Sequence, residues 1–158
     1  KFVESLVAKN IITEKEKQVI QLQKLYRYTN SEIWQELKHS KLIEKEKPFY
    51  IMLSAKEIYE LNESNDIEKV QVNQNSDDKI LVQGIIDLYY INKNDELILL
   101  DYKTDFANNE NELIDKYNVQ LEIYKRALEK SLRRSVDKVY IYSLYLQKSI
   151  EINFDSKA

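Results

Sequence analysis

The run Ile80-Leu-Val-Gln-Gly-Ile-Ile-Asp-Leu-Tyr-Tyr-Ile91, the polar break Asn92-Lys-Asn-Asp95 and the run Leu97-Ile-Leu-Leu-Asp-Tyr-Lys103 decide the fold. Both runs are rich in Ile, Leu, Val and Tyr, which suit a pleated surface, and the break is short enough to close an antiparallel hairpin. The second run is continuously apolar from Leu97 to Leu100 and then turns charged, so Asp101 and Lys103 stand at the end of a buried strand. Strand side chains alternate, which puts these two on one face and Tyr102 on the other. Asp87 is the one charged residue between Ile80 and Ile91. A hairpin centred on Asn94 sets Asp87 opposite Asp101 and Ile85 opposite Lys103.

Acids directly opposed across strands repel, and each raises the other's pKa unless something positive lies between them. A divalent cation meets that need, and donors that are oxygen only suit a hard ion, Mg²⁺ or Mn²⁺, better than zinc. Gly84, the one glycine of the chain, stands shortly before Asp87 and admits the close approach of a side chain, another backbone or a phosphodiester. The same residues allow a plainer reading, in which Asp101 and Lys103 form an ordinary ion pair and Asp87 marks a solvated face. An acid two residues before a lysine recurs at Glu36, Asp77 and Asp155, so spacing alone does not separate the two.

Toward the amino terminus, Pro48 opens a short strand over Phe49 to Leu53, and Ser54-x-x-Glu57 is a capping box for a brief helix. Asp66 to Asn73 reads as a modest strand and Asn73 to Asp78 as a turn. The first third is helical. Phe2, Val3, Leu6 and Val7 share a face, and Thr13-x-x-Glu16 caps a helix with Val19, Leu22, Leu25 and Tyr26 inward. Ser31 to Lys38 makes another, with Ile33, Trp34 and Leu37 inward. Beyond the hairpin, a helix of about 20 residues carries Leu113, Tyr117, Gln120, Tyr124 and Ala127 at helical spacing. Val139 to Leu146 and Ile150 to Phe154 read as strands, with Tyr140, Tyr142 and Leu144 on one face. Tyr26, Tyr59 and Tyr117 suit half-buried rings with wet hydroxyls. Lys130, Arg133 and Arg134 complement the dipole at the end of the long helix. This order of elements gives an α/β fold, a sheet covered by helices.

The 158 residues and 18.9 kDa fit one domain. A net charge of −3 removes the global basic field of a protein that holds nucleic acid by charge alone, so any DNA contact is local. The absence of cysteine excludes disulfides, thiolate zinc sites, iron–sulfur clusters and cysteine nucleophiles, and fits a reducing cytoplasm. No apolar run approaches the roughly 20 residues of a spanning helix, so no membrane contact is expected. A chain with one glycine contains no Gly-x4-Gly-Lys-Ser/Thr phosphate loop. It begins at Lys1 rather than Met, and is expected to be a piece of a longer polypeptide.

Read as a string, Gly84-Ile-Ile-Asp87, Asp101-Tyr-Lys103-Thr104 and Gln120-x-x-x-Tyr124 resemble the PD-(D/E)XK nuclease superfamily in its RecB-like branch. Val82 to Leu88, Leu99 to Asp105 and Gln120 to Leu128 look like the carboxy-terminal nuclease domain of bacterial helicase–nuclease A subunits (AddA). Glu46-Lys-Pro-Phe49 matches that family's acid before a Pro-Phe strand start. The resemblance covers Ile43 to Leu146, with a weaker match in the amino-terminal helices. It implies a restriction-endonuclease-like mixed central sheet flanked by helices, with an amino-terminal helical segment at 1–42 and the nuclease core at 43–158. It also implies that Asp87 and Asp101 are metal ligands, Glu46 an auxiliary acid near the metal, and Lys103 the catalytic lysine. Gln120, Tyr124 and Gly84 would approach the DNA backbone.

The implied activity is an Mg²⁺-dependent DNA exonuclease that cuts phosphodiesters with metal-activated water and processes double-strand ends for recombinational repair. An ATP-binding helicase domain upstream in the same chain and the B subunit (AddB) would be its partners. The family carries a metal-binding histidine on a preceding helix. His39 is out of register with it and reads as a solvated residue near a helix end, so that histidine is expected upstream. The 158 residues are therefore expected to hold Mg²⁺ weakly and cut slowly. The competing reading is a non-cleaving DNA-binding or subunit-docking module on the same fold. A stand-alone endonuclease with an iron–sulfur cluster is opposed by the lack of cysteine.

Overall fold

A computed structural model describes residues 2–63 and 79–154. The two deciding runs form β2 (Lys79–Ile91) and β3 (Leu97–Lys103). They pair antiparallel in the expected register, from Ile91 opposite Leu97 to Leu88 opposite Leu100. Asn92 builds the turn between them. Its buried side-chain oxygen accepts from the backbone N–H of Asn94 and of Glu96, both at 2.9 Å, and so folds the chain back without a glycine.

Ahead of β2, β1 (Leu42–Ser54) runs antiparallel to it. The strand begins at Leu42, not at Pro48 as the sequence suggested. Because β1 is an edge strand with β2 as its one neighbour, the missing N–H of Pro48 can fall on the open side and the strand continues through it. Ser54 and Glu57 form the expected capping box, with Glu57 N–H donating to Ser54 Oγ at 3.2 Å and Ser54 N–H to Glu57 Oε2 at 2.7 Å, and so start α5 (Ala55–Glu63). The expected strand and turn between Asp66 and Asp78, and the side chain of Tyr59, lie outside the described residues.

After β3 comes α6 (Glu110–Leu132), capped by the Asn109 side chain and ended by Arg133 in a left-handed conformation, φ 52°. The helix returns the chain to β4 (Lys138–Ser143), parallel to β3, and β5 (Lys148–Glu151) pairs antiparallel with β4. The result is a five-stranded mixed sheet in the order β1-β2-β3-β4-β5. β4 stops at Ser143 rather than at Leu146. Leu146 N–H donates to Ser143 Oγ, and Gln147 adopts φ 60°, so these residues make the turn and the return strand starts before Ile150.

Alternation along the central strands builds two cores. On one face, Leu97, Leu99, Val139 and Ile141 pack against Leu113, Leu121, Ala127 and Leu128 of α6. On the other, Ile98, Leu100 and Tyr142 pack against Ile33 and Leu37 of α4 (Glu32–Lys38). Tyr140 and Leu144 adjoin that second core, as their alternation indicated. Glu36 of α4 accepts from Tyr90 Oη at 2.9 Å and from Asn92 Nδ2 at 2.7 Å, which ties the helix to the hairpin turn.

The amino-terminal helices differ from expectation. The Thr13–Glu16 capping box is present, but the single helix expected after it is two, α2 (Glu14–Val19) and α3 (Leu22–Thr29), which follow α1 (Phe2–Ala8). Ile20, at ψ 114°, is extended and breaks the helix. Val19, Leu22, Leu25 and Tyr26 are exposed rather than inward, because the break shifts the helical phase and the described chain offers no surface to cover them. Tyr26 is therefore not the half-buried ring its spacing indicated, whereas Tyr117 is. Among the described residues no helix is long and apolar enough to cross a membrane.

Candidate active site

The end of β3 carries the charges. Asp101 and Lys103 continue the Leu97–Leu99 face toward α6, and Tyr102 joins the opposite core. Asp101 is 2% exposed. Lys103 Nζ lies 2.8 Å from Asp101 Oδ2, a buried ion pair. Lys103 also donates to Gln120 Oε1 at 3.1 Å, and its ammonium sits 4.0 Å from the centre of the Tyr117 ring. Gln120 Nε2 in turn donates to Tyr124 Oη at 2.7 Å. Residues four apart on α6 share a face, so the helix presents Gln120 and Tyr124 to the strand as a pair.

Tyr124 packs edge-on against Phe49 with ring centres 5.2 Å apart. A Cβ on Gly84 would come within 2.7 and 2.9 Å of the Phe49 ring carbons. Of the three occupants the sequence allowed above Gly84, a side chain is the one present. Gly84, Phe49, Tyr124, Gln120, Lys103 and Asp101 are thus one connected set drawn from β1, β2, β3 and α6.

Asp87 is placed by a slip in strand alternation. Ile86 and Tyr89 belong to the α6-side core, but Leu88 and Tyr90 belong to the opposite one, so the two-residue period breaks at Asp87. Directly across, Glu46 has φ 51°, and the ladder passes from Lys45–Leu88 to Lys47–Ile86 without pairing Glu46. On its other side, the β2–β3 ladder ends at Leu88–Leu100. Asp87 Oδ2 takes over there, accepting from the Tyr102 N–H at 3.0 Å. Asp87 and Glu46 both line a cavity on the α3–α4 side. Asp101 faces α6, and Tyr102 is the link between the two acids. Among the described residues no group of three or more His, Asp or Glu side chains converges on one point. His39 ends α4, is exposed, and contacts the Gln35 carbonyl through Nδ1 at 2.8 Å.

Burial raises the Asp101 carboxyl above its ordinary range, the Lys103 ammonium opposes that shift, and the charge of Asp87 adds to it. Tyr102 is also pushed up, first by burial and further by Asp87. A buried carboxylate balanced by one lysine, with a second negative charge acting on it, suits a further cation, and oxygen donors fit a hard divalent ion in kind. Mg²⁺ commonly takes one or two protein carboxylates and fills the rest of its shell with water and phosphate oxygens, which two acids can satisfy.

The sequence did not indicate what holds the lysine. Tyr117 appeared there as a helix-face position and Asp105 had no role. In the structure Tyr117 Oη donates to Asp105 Oδ2 at 2.6 Å, and Lys116 Nζ donates to Asp105 Oδ1 at 2.7 Å. These bonds hold the Asp105 carboxyl down at about 2. Asp105 therefore anchors the ring that lies against Lys103. The available signal was the phase of α6, which puts Tyr117 and Gln120 on one side.

A family profile described as the PD-(D/E)XK nuclease superfamily matches residues 3–155. The chain is 35% identical over 152 residues to the A subunit of the ATP-dependent helicase/nuclease from Clostridium acetobutylicum, covering 95% of this chain and 11% of that protein. It is 39% identical over 140 residues to the protein of the same name in Clostridium kluyveri, covering 89% and 11%. It is 38% identical over 149 residues to that of Alkaliphilus oremlandii, covering 93% and 12%. The chain thus spans about a tenth of the length of these curated relatives. With the mixed sheet, the charged end of β3 and a profile that runs nearly end to end, this chain belongs to the PD-(D/E)XK nuclease superfamily.

Proposed function

We propose that this nuclease domain cuts DNA with the help of Mg²⁺, as the nuclease part of a helicase–nuclease that trims double-strand ends for recombinational repair in the cytoplasm. The observation that carries the reading is the buried Asp101 carboxylate at the charged end of β3, with Lys103 2.8 Å from its Oδ2 and the charge of Asp87 acting on it. Asp101 would hold the ion, Asp87 would join it by turning its carboxylate from the Tyr102 N–H toward Asp101, and Glu46 would be an auxiliary acid at the cavity edge. A bound Mg²⁺ would polarise the phosphodiester and acidify a water molecule.

Lys103 supplies the positive charge that the chain itself brings to the phosphate. Its ammonium is fixed from three sides by Asp101, Gln120 and the Tyr117 ring, so it needs little reorganisation to stabilise negative charge that develops on the phosphoryl oxygens. The relatives' names support a helicase domain elsewhere in the same polypeptide, and the B subunit is the partner the resemblance implies.

The test compares digestion of linear double-stranded DNA by the whole natural polypeptide in its native form and as Asp101→Ala and Lys103→Ala. Each variant should lose about 10²–10³-fold or more in cleavage rate, while DNA-stimulated ATP hydrolysis persists. Undiminished cleavage by Asp101→Ala would remove the metal-site assignment.

A further inference from the structure

On the face of the sheet away from α6, a cavity of about 340 Å³ lies between α3, α4 and the β1–β2 ribbon. Tyr28, Trp34 and Tyr102 line it, and all three rings are only half-buried. Lys38 and Lys45 stand exposed at its rim, and Lys45 makes no ion pair or side-chain hydrogen bond among the described residues. Asp87 forms part of its wall.

We propose that this cavity receives a nucleobase of the DNA strand presented for cleavage. The size sits at the lower end of small-molecule sites, which run from about 300 to 1,000 Å³. That admits one nucleoside-sized group and excludes a duplex. The wall chemistry is that of a single-strand site: aromatic side chains receive the flat face of any base, and lysines at the rim follow the phosphates. The position is the decisive point. Asp87 belongs both to the cavity wall and to the candidate cutting site, and Tyr102 lies between Asp101 and Lys103 in sequence while its own side chain lines the cavity. A base seated there would lie against Asp87, the one candidate metal ligand from β2, and the strand would pass around the end of β3 to bring its backbone to Asp101 and Lys103 on the other face. The inference rests on the reading of the domain as a DNA-cutting one and adds to it how the strand is gripped without a net positive charge.

Trp34 is the one tryptophan of the chain, so its fluorescence reports on this cavity without a label. The ligands are a single-stranded thymidine octamer and the same octamer as an abasic backbone. They are titrated in Mg²⁺ into this chain carrying Asp101→Asn, so that binding is read without cutting. The thymidine strand should quench Trp34 to saturation, and the abasic strand should bind roughly 5- to 100-fold more weakly without quenching. Lys45→Ala, which breaks no ion pair or side-chain hydrogen bond among the described residues, should weaken the thymidine strand and reduce the salt slope of binding by about one. Equal binding of the two strands overturns the proposal. So does the absence of quenching by either, which would leave the cavity to a polypeptide segment. Cleavage that survives Asp101→Asn would sink the cutting mechanism instead, while base-dependent quenching stands or falls separately.

Discussion

Lys103 and Gln120 meet at 3.1 Å, with the lysine donating and the amide oxygen accepting, and this contact joins the charged end of β3 to the face of α6. The amide has two ends, and the other one donates to Tyr124 Oη at 2.7 Å. Gln120 therefore orients a cation and a phenol at once, a task that leucine does not perform. A double-mutant cycle with Gln120→Ala and Tyr124→Phe should show non-additive loss of cleavage, with a coupling of about 0.5–3 kcal/mol. Additive effects would mean that the two act on DNA separately.

Gly84 controls the same network from below. In Gly84→Ala the new methyl meets the Phe49 ring at 2.7 Å, and Phe49 is itself buried against Tyr124. Overpacking of this kind costs about 1–3 kcal/mol, read as a lower urea midpoint at unchanged slope. The accompanying shift of Tyr124 should lower cleavage further than the stability loss explains, and a fully native cleavage rate in the folded variant would show that Tyr124 has no part in it.

Burial of Asp101 costs stability that its proposed metal role would explain. Its carboxyl is pushed up by burial, so the fold disfavours the ionised form. The sign follows: stability linked to this group is greatest below the ordinary carboxylate pKa and is lost as pH rises through the raised one. In chelator at pH 7, Asp101→Asn should be more stable than the native chain by about 1 kcal/mol, roughly 2–4 °C in thermal midpoint. Added Mg²⁺ should raise the native midpoint and leave the variant unmoved. A variant less stable than the native chain in chelator would contradict this balance of burial against charge.

Asp105 works in the opposite direction. Hydrogen bonds from Lys116 and Tyr117 hold its carboxyl at about 2, below the ordinary 3.8. The stabilisation it gives is present above the ordinary value and disappears as pH falls through about 2. Carboxyl-carbon NMR should find its titration midpoint near 2, and in Asp105→Asn the acid-range loss of stability assigned to this group should vanish. Because Asp105 anchors the ring against Lys103, the variant should also lower kcat more than it raises KM. That outcome would make it a positioning residue.

The hairpin and its charges were legible because a long apolar run that ends in Asp-x-Lys has few ways to fold, and the Asn94-centred register follows from loop length alone. Both capping boxes were legible because they are local. The slip at Asp87 was not, since it depends on the left-handed Glu46 on another strand and on the backbone of Tyr102. Strand alternation alone opposed Asp87 to Asp101, whereas the fold lets Asp87 cap the next N–H. The exposed faces of α2 and α3 were missed for a related reason. Periodicity states that a helix has an apolar side, but not whether the described chain supplies anything to cover it.

Among the described residues the mixed sheet has two open edges, and they are guarded differently. β5 is four residues long, too short to recruit another strand. β1 is thirteen residues long and would be an inviting template for a stray chain. Its middle, Glu44-Lys-Glu-Lys-Pro48, sets four alternating charges, a left-handed kink and an imino acid along that rim. Those are features that discourage self-templated aggregation. The acid proposed to assist the metal thus lies within the segment whose charges oppose edge-to-edge pairing, so neutralising that stretch should raise self-association and lower the proposed cleavage together.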